Sequence, residues 1–211
     1  IIVNLKTYEQ GYGADGFELC KIMEEISIEH NVNLAAAVSA IDLVDYSDNL
    51  KIPIFAQHVD GVNYGSNTGS ILPEAVRYSG AVGTLVNHAE CQMSWKEIEK
   101  TINRCKELDL TTVLCTADIE SSEKGSHLNP DMIAVEPPEL IGGDISVSTA
   151  KPEIISDIID GRSMNTNSIK PKFYSSSIVG GIIPIALGAA NALKMKNSER
   201  RVWCFIGDMT F

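Results

Sequence analysis

Short apolar runs alternate with amphipathic stretches along most of the 211-residue chain, and this alternation is the pattern of strand-helix units that build a parallel sheet. The spacing predicts strands over residues 1–4, 33–38, 52–57, 81–86, 111–116 and 132–136. It predicts surface helices over 17–30, with Leu19, Ile22, Met23 and Ile26 on one face, and over 94–108, with Trp95, Ile98, Ile102 and Cys105 three to four residues apart. Ser94 followed by Glu97 reads as a capping box, because the hydroxyl and the carboxylate can each take an orphan amide at the helix start.

Composition narrows the partners. With 17 Lys and Arg against 28 Asp and Glu, the net charge of -11 opposes general attraction to nucleic acid or anionic membrane. No apolar run approaches the roughly 20 residues that span a bilayer. The five cysteines, at 20, 91, 105, 115 and 204, are odd in number and never spaced C-x-x-C, so the expectation is neither a disulfide framework nor a structural zinc site, but a reducing cytoplasm. The chain opens on Ile1-Ile2-Val3 without Met, which reads as a missing start.

In barrels and open sheets of this class, chemistry gathers where strands end in loops. Three ends stand out: Asn4-Leu5-Lys6-Thr7-Tyr8 after the first strand, Leu85-Val86-Asn87-His88-Ala89-Glu90 at the fourth, and Ala134-Val135-Glu136-Pro137-Pro138-Glu139-Leu140-Ile141-Gly142-Gly143 at the sixth. In that order, residues 1–158 resemble triosephosphate isomerases of the archaeal type. Phe55-Ala56-Gln57-His58, Gly65-Ser66-Asn67-Thr68-Gly69 and Leu72-Pro73-Glu74-Ala75-Val76 resemble the family's third strand and the loop after it.

The resemblance implies an α/β fold, a (β/α)8 TIM barrel that is incomplete here, with six recognisable units. It implies interconversion of dihydroxyacetone phosphate and glyceraldehyde 3-phosphate through an enediol. Glu136 would be the catalytic base and His88 the imidazole that polarises the carbonyl. Lys6 would stabilise oxyanion charge, with Asn4 beside it in the substrate site and Glu90 supporting the network. A neutral histidine paired with a glutamate base is the family's known pattern and is inherited here, not deduced. Residues 137–147 would form the closing loop, with Gly142 and Gly143 offering amides to the phosphate. Ala89 stands where the family usually has serine, and Asp144 follows the two glycines in place of a small residue. The family's third loop reaches into a neighbouring subunit, so a homo-oligomer is expected if the barrel is intact. No cofactor is implied.

Without these companions Lys6 would read as a solvated strand-end charge. His58 and His127 read as ordinary loop or packing histidines, and His30 as a helix C-terminal cation favoured by the dipole. None is a metal-ligand candidate.

After Asp160 the texture changes to Gly161-Arg162-Ser163-Met164-Asn165-Thr166-Asn167-Ser168, which reads as a boundary between a truncated barrel domain, 1–160, and a grafted αβ segment, 161–211. A helix is expected over 178–195 and a buried strand over 201–206. Ser177-Ile178-Val179-Gly180-Gly181 and Gly207-Asp208-Met209-Thr210-Phe211 resemble part of a thiamine-diphosphate-dependent 2-oxoacid dehydrogenase E1 alpha subunit. There Asp208 would be a magnesium ligand only if that likeness were functional. A barrel of this kind typically has eight units in about 250 residues, with a phosphate grip from its last two loops. No such units are recognisable after residue 160, so the expectation is a chimera of impaired turnover. The alternatives are a thiamine-dependent fragment, an inactive fusion, or a tail that only covers the open sheet edge.

Overall fold

The computed structural model describes residues 1–135 and 205–206. Its strands are β1 (Ile2–Asn4), β2 (Ala35–Val38), β3 (Ile54–Ala56), β4 (Gly83–Val86), β5 (Thr111–Thr116), β6 (Met132–Val135) and β7 (Phe205–Ile206). Between them lie α1 (Gly13–Glu29), α2 (Leu43–Asn49), α3 (Pro73–Tyr78), α4 (Trp95–Glu107) and α5 (Ile119–Ser126). Every strand pairing is parallel, in the order β6-β5-β4-β3-β2-β1-β7.

Strand side chains alternate between two buried environments, which is why these strands read as unbroken apolar runs. Ile2, Ala35, Ala37, Phe55, Leu85, Val113, Cys115 and Ala134 form one cluster, on the concave side of the sheet. Their neighbours in sequence face the helices: Ala36, Val38, Ile54 and Ala56 pack with Cys20, Met23, Leu43 and Tyr46, while Val86, Leu114 and Ile133 pack with Ile98 and Ile102 of α4. This two-sided burial is the architecture of an incomplete (β/α) barrel.

The expected strands all form, trimmed by one or two residues at their ends except β5, which matches. α4 begins on the expected capping box: Ser94 Oγ accepts from the Glu97 amide at 3.3 Å and Glu97 Oε2 accepts from the Ser94 amide at 2.8 Å. His30 is the C-cap of α1, as read, and His127 that of α5. α1 starts four residues earlier than its apolar spacing indicates, because tertiary bonds hold its first turn. The Tyr46 hydroxyl donates to the Gly13 carbonyl at 2.7 Å, and a Cβ at Gly16 would collide with that same hydroxyl. α2, α3 and α5 are six to eight residues long and had too few turns to show a periodicity in the sequence.

The strand expected over 201–206 is present in part. Phe205 and Ile206 pair with Ile2 and Val3, on the side of β1 where the last strand of a closing barrel stands. The boundary near residue 160 and the helix over 178–195 lie outside the described residues. No described helix is long and apolar enough to cross a membrane.

Candidate active site at the C-terminal strand ends

Asn4 ends β1 and is buried, its Oδ1 accepting from the Lys6 amide at 3.0 Å. This short bond supports the positive φ of 50° at Lys6, a conformation that costs a non-glycine residue energy and sharply turns the chain as it leaves the strand. The turn is secured from the neighbouring strand end, where Gln57 Nε2 donates to the Lys6 carbonyl at 2.9 Å and to the Ala37 carbonyl at 3.3 Å.

The fourth strand uses the same device. Asn87 has φ of 61°, a region that asparagine tolerates better than most residues. Its amide nitrogen donates to the Cys115 carbonyl at 2.9 Å and its oxygen accepts from the Met93 amide at 2.8 Å. The loop 87–93 is thereby tied at both ends to β5 and to the entrance of α4, and His88 is buried beneath it.

Lys6 and His88 meet around one carboxylate. Lys6 Nζ lies 3.0 Å from Glu90 Oε1, and His88 Nδ1 lies 3.8 Å from Glu90 Oε2. β1 and β4 are three strand spacings apart, about 14 Å on a flat sheet. The contact bridges that span from the loops beyond the strand ends, Lys6 standing two residues past β1 and Glu90 four residues past β4. The ammonium side chain is only 7% exposed while Glu90 is 54% exposed, so the buried cation is compensated by an anion that still touches water.

The Glu90 amide donates to His88 Nδ1 at 3.2 Å, which requires a lone pair there, whereas the Glu90 carboxylate at 3.8 Å is too far to hold a proton on that nitrogen. An acceptor at Nδ1 is the arrangement of an imidazole that carries a proton on Nε2. A neutral imidazole that donates from Nε2, beside a buried ammonium, can stabilise negative charge on a small oxygen-bearing substrate.

β6 delivers Val135 to this same end of the sheet, paired with Thr116. Glu136, Gly142, Gly143 and Asp208 lie outside the described residues, so Asn4, Lys6, His88 and Glu90 are the site residues the structure brings together. Among the described residues no cluster of His, Cys, Asp and Glu could hold a metal ion. A cleft of about 210 Å³ opens between the β4 and β5 ends, lined by Asn87, Met93, Trp95, Thr116 and Asp118 among others, but neither Lys6 nor His88 contributes to it. Gln57 and the bracing role of Asn87 were missed from the sequence. The only signal they left was a polar residue directly after an apolar strand.

A family profile described as triosephosphate isomerase matches residues 1–183. The chain belongs to the triosephosphate isomerase family. Among its relatives, the triosephosphate isomerase of Methanocaldococcus jannaschii is 45% identical over 210 residues, covering 96% of each chain. That of Methanothermobacter thermautotrophicus is 45% identical over 160 residues, covering 76% of this chain and 70% of the relative. The crystal structure of triosephosphate isomerase from Bartonella henselae superposes with a TM-score of 0.65, covering 98% of this chain and 91% of that one, at 15% identity, which shows the shared fold. Both the family match and the M. jannaschii alignment run past residue 160, so likeness to the triosephosphate isomerase family is not confined to the first six units.

Proposed function

We propose that this chain interconverts dihydroxyacetone phosphate and glyceraldehyde 3-phosphate by proton transfer through an enediol. The observation that carries the reading is His88, with Nδ1 accepting from the Glu90 amide, gathered with the buried Lys6 around the Glu90 carboxylate, in a chain of the triosephosphate isomerase family. In this mechanism Glu136, the residue after β6, takes a proton from one carbon and returns it to the next. The Nε2 proton of His88 polarises the carbonyl, and Lys6, with Asn4 at its base, holds the negative charge that grows on oxygen. Residues 137–147 close over the substrate, and the Gly142 and Gly143 amides meet its phosphate. Neither Glu136 nor the loop is placed by the described residues; their roles come from the family motif.

The expectation of an impaired chimera gains no support. β7 stands against β1, and the M. jannaschii relative aligns over 96% of the chain. The thiamine-dependent alternative rests on a short sequence likeness alone. We further propose a homo-oligomer that works in the cytoplasm. The family's third loop, which reaches into a neighbouring subunit, supports the first, and the free thiols Cys20, Cys91, Cys105 and Cys115 support the second.

A coupled assay on glyceraldehyde 3-phosphate tests the reading, with Glu136→Gln as control. The expected result is turnover that the substitution lowers by about 10²-fold or more. Equal background rates for the two proteins would overturn it.

A further inference from the structure

Among the described residues, Lys6, Asn31, Asn87, Asp109 and Asn129 hold a positive φ without being glycine. Asn31, Asp109 and Asn129 stand just past α1, α4 and α5, where a left-handed residue closes a helix. Backbone bonds serve them there: the Asn31 amide donates to the Ile28 carbonyl at 3.4 Å, Asp109 to Lys106 at 3.3 Å and Asn129 to Ser126 at 2.9 Å. Asn87 differs. It follows a strand, and both ends of its side-chain amide are engaged, Nδ2 with the Cys115 carbonyl and Oδ1 with the Met93 amide.

The last backbone partners of β4 and β5 are Val86 and Leu114. The left-handed turn at Asn87 takes the main chain away from β5, and its side chain carries the pairing one residue further, to Cys115. At the other end of the loop, Met93 directly precedes Ser94, the N-cap of α4. One side chain therefore clips both ends of the loop 87–93 to rigid elements. Inside the clip, the loop's own backbone meets His88: the Glu90 amide reaches Nδ1 at 3.2 Å, and the Cys91 amide reaches the His88 carbonyl at 2.8 Å. The geometry of both bonds is that of the loop, so what fixes the loop fixes the direction of the ring.

We propose that Asn87 is a positioning residue for the isomerisation: by clipping the loop 87–93, its side-chain amide keeps the Glu90 amide on His88 Nδ1 and so aims Nε2 at the substrate. Its kinetic consequence rests on the isomerase reading; the aim of the ring does not. A misplacement of about 1 Å can cost on the order of 10²-fold in rate. A residue needed only for its left-handed turn would be replaced without loss by glycine, which takes that conformation at no steric cost. Glycine lacks both hydrogen bonds, so this exchange separates the turn from the clip.

The test pairs steady-state kinetics on glyceraldehyde 3-phosphate with nitrogen magnetic resonance of the histidine rings, the His88 signals being those missing from His88→Asn. In mildly alkaline buffer the parent should show His88 with a bare Nδ1 and a protonated Nε2. Asn87→Gly should keep the far-ultraviolet circular dichroism spectrum of the parent. It should nevertheless lower kcat by about 10- to 10²-fold with KM within about threefold, and its His88 signals should move toward a mixture of the two tautomers. Asn129→Gly, the same exchange at a left-handed position past α5, should change neither readout. Asn87→Asp keeps an acceptor for the Met93 amide but turns a second oxygen on the Cys115 carbonyl, and it carries the same expectation should the glycine variant not fold. A folded Asn87 variant with kcat within twofold of the parent, or with the parent's His88 signals, would overturn the proposal, as would a parent whose Nδ1 carries the proton. If the parent turns over no faster than Glu136→Gln, the isomerase reading falls, and the His88 signals alone decide whether Asn87 orients the ring.

Discussion

Lys6 Nζ and Glu90 Oε1, 84 residues apart in the chain, are 3.0 Å apart in the fold, and this ion pair joins the end of β1 to the loop that follows β4. Because Glu90 is 54% exposed, water screens the pair, and its net worth to stability is about 1 kcal/mol or less. Its value lies in placing the ammonium. Glu90→Gln should therefore shift the urea midpoint little while lowering kcat/KM in the isomerase assay by about tenfold or more. A stability loss above about 3 kcal/mol with unaltered kinetics would show that the carboxylate is a structural anchor instead.

His88 should be the more costly loss. With the Glu90 amide occupying Nδ1, Nε2 is the ring nitrogen left to donate to a substrate. His88→Asn keeps a donor but not its reach or direction, and should lower turnover by about 10² to 10⁴. Steady-state kinetics on both triose phosphates check this, and turnover within twofold of the parent would remove His88 from the mechanism.

Gly83 is set by contact. A Cβ there would collide with the Thr111 carbonyl oxygen of β5 and the Phe55 ring of β3, both packed at the centre of the sheet. Gly83→Ala should destabilise the protein by about 1–3 kcal/mol, read from chemical denaturation. A neutral result would mean that Phe55 can swing aside without loss.

The capping box of α4 and a second one at the start of α5, where Asp118 and Ser121 each accept from the other's backbone amide, predict a response to acid. Glu97 is held below its ordinary carboxylate value by its hydrogen bonds to the Ser94 side chain and backbone, and Asp118 below its own by the Ser121 side chain and backbone. Both are depressed in the folded state, so their stabilisation is fully present above the unfolded carboxylate range, about pH 4, and is lost as pH falls through the lower folded values. Ser94→Ala should cost about 1 kcal/mol near neutrality and weaken the acid dependence. Thermal melts of the two proteins between pH 3 and 7 make the comparison, and parallel curves over that range would contradict it.

The helix start at Ser94 was legible because both halves of the cap are local, three residues apart. Strand positions were legible for a related reason. Burial on both faces demands apolar residues throughout, and Ala35–Val38 or Gly83–Val86 can hardly be anything else. The early start of α1 was not, since the Tyr46 hydroxyl that anchors Gly13 arrives from α2. His58 looked like a packing histidine because, although Asp60 is only two residues away, its other neighbour, Cys91, comes from the loop after β4, 33 residues on.

The chain's own order of residues thus determined which segments become strands, where α4 begins, and, through the family motifs, that Asn4, Lys6, His88 and Glu90 belong to one site. It could not supply the meeting of Lys6 and Glu90 from the loops after β1 and β4, the bond from the Glu90 amide to His88 Nδ1, or the approach of Cys91 to His58. Local pattern records what a backbone prefers within a few residues. Hydrogen-bond direction and charge pairing across separate loops exist only after the sheet has curled and brought those loops to one end.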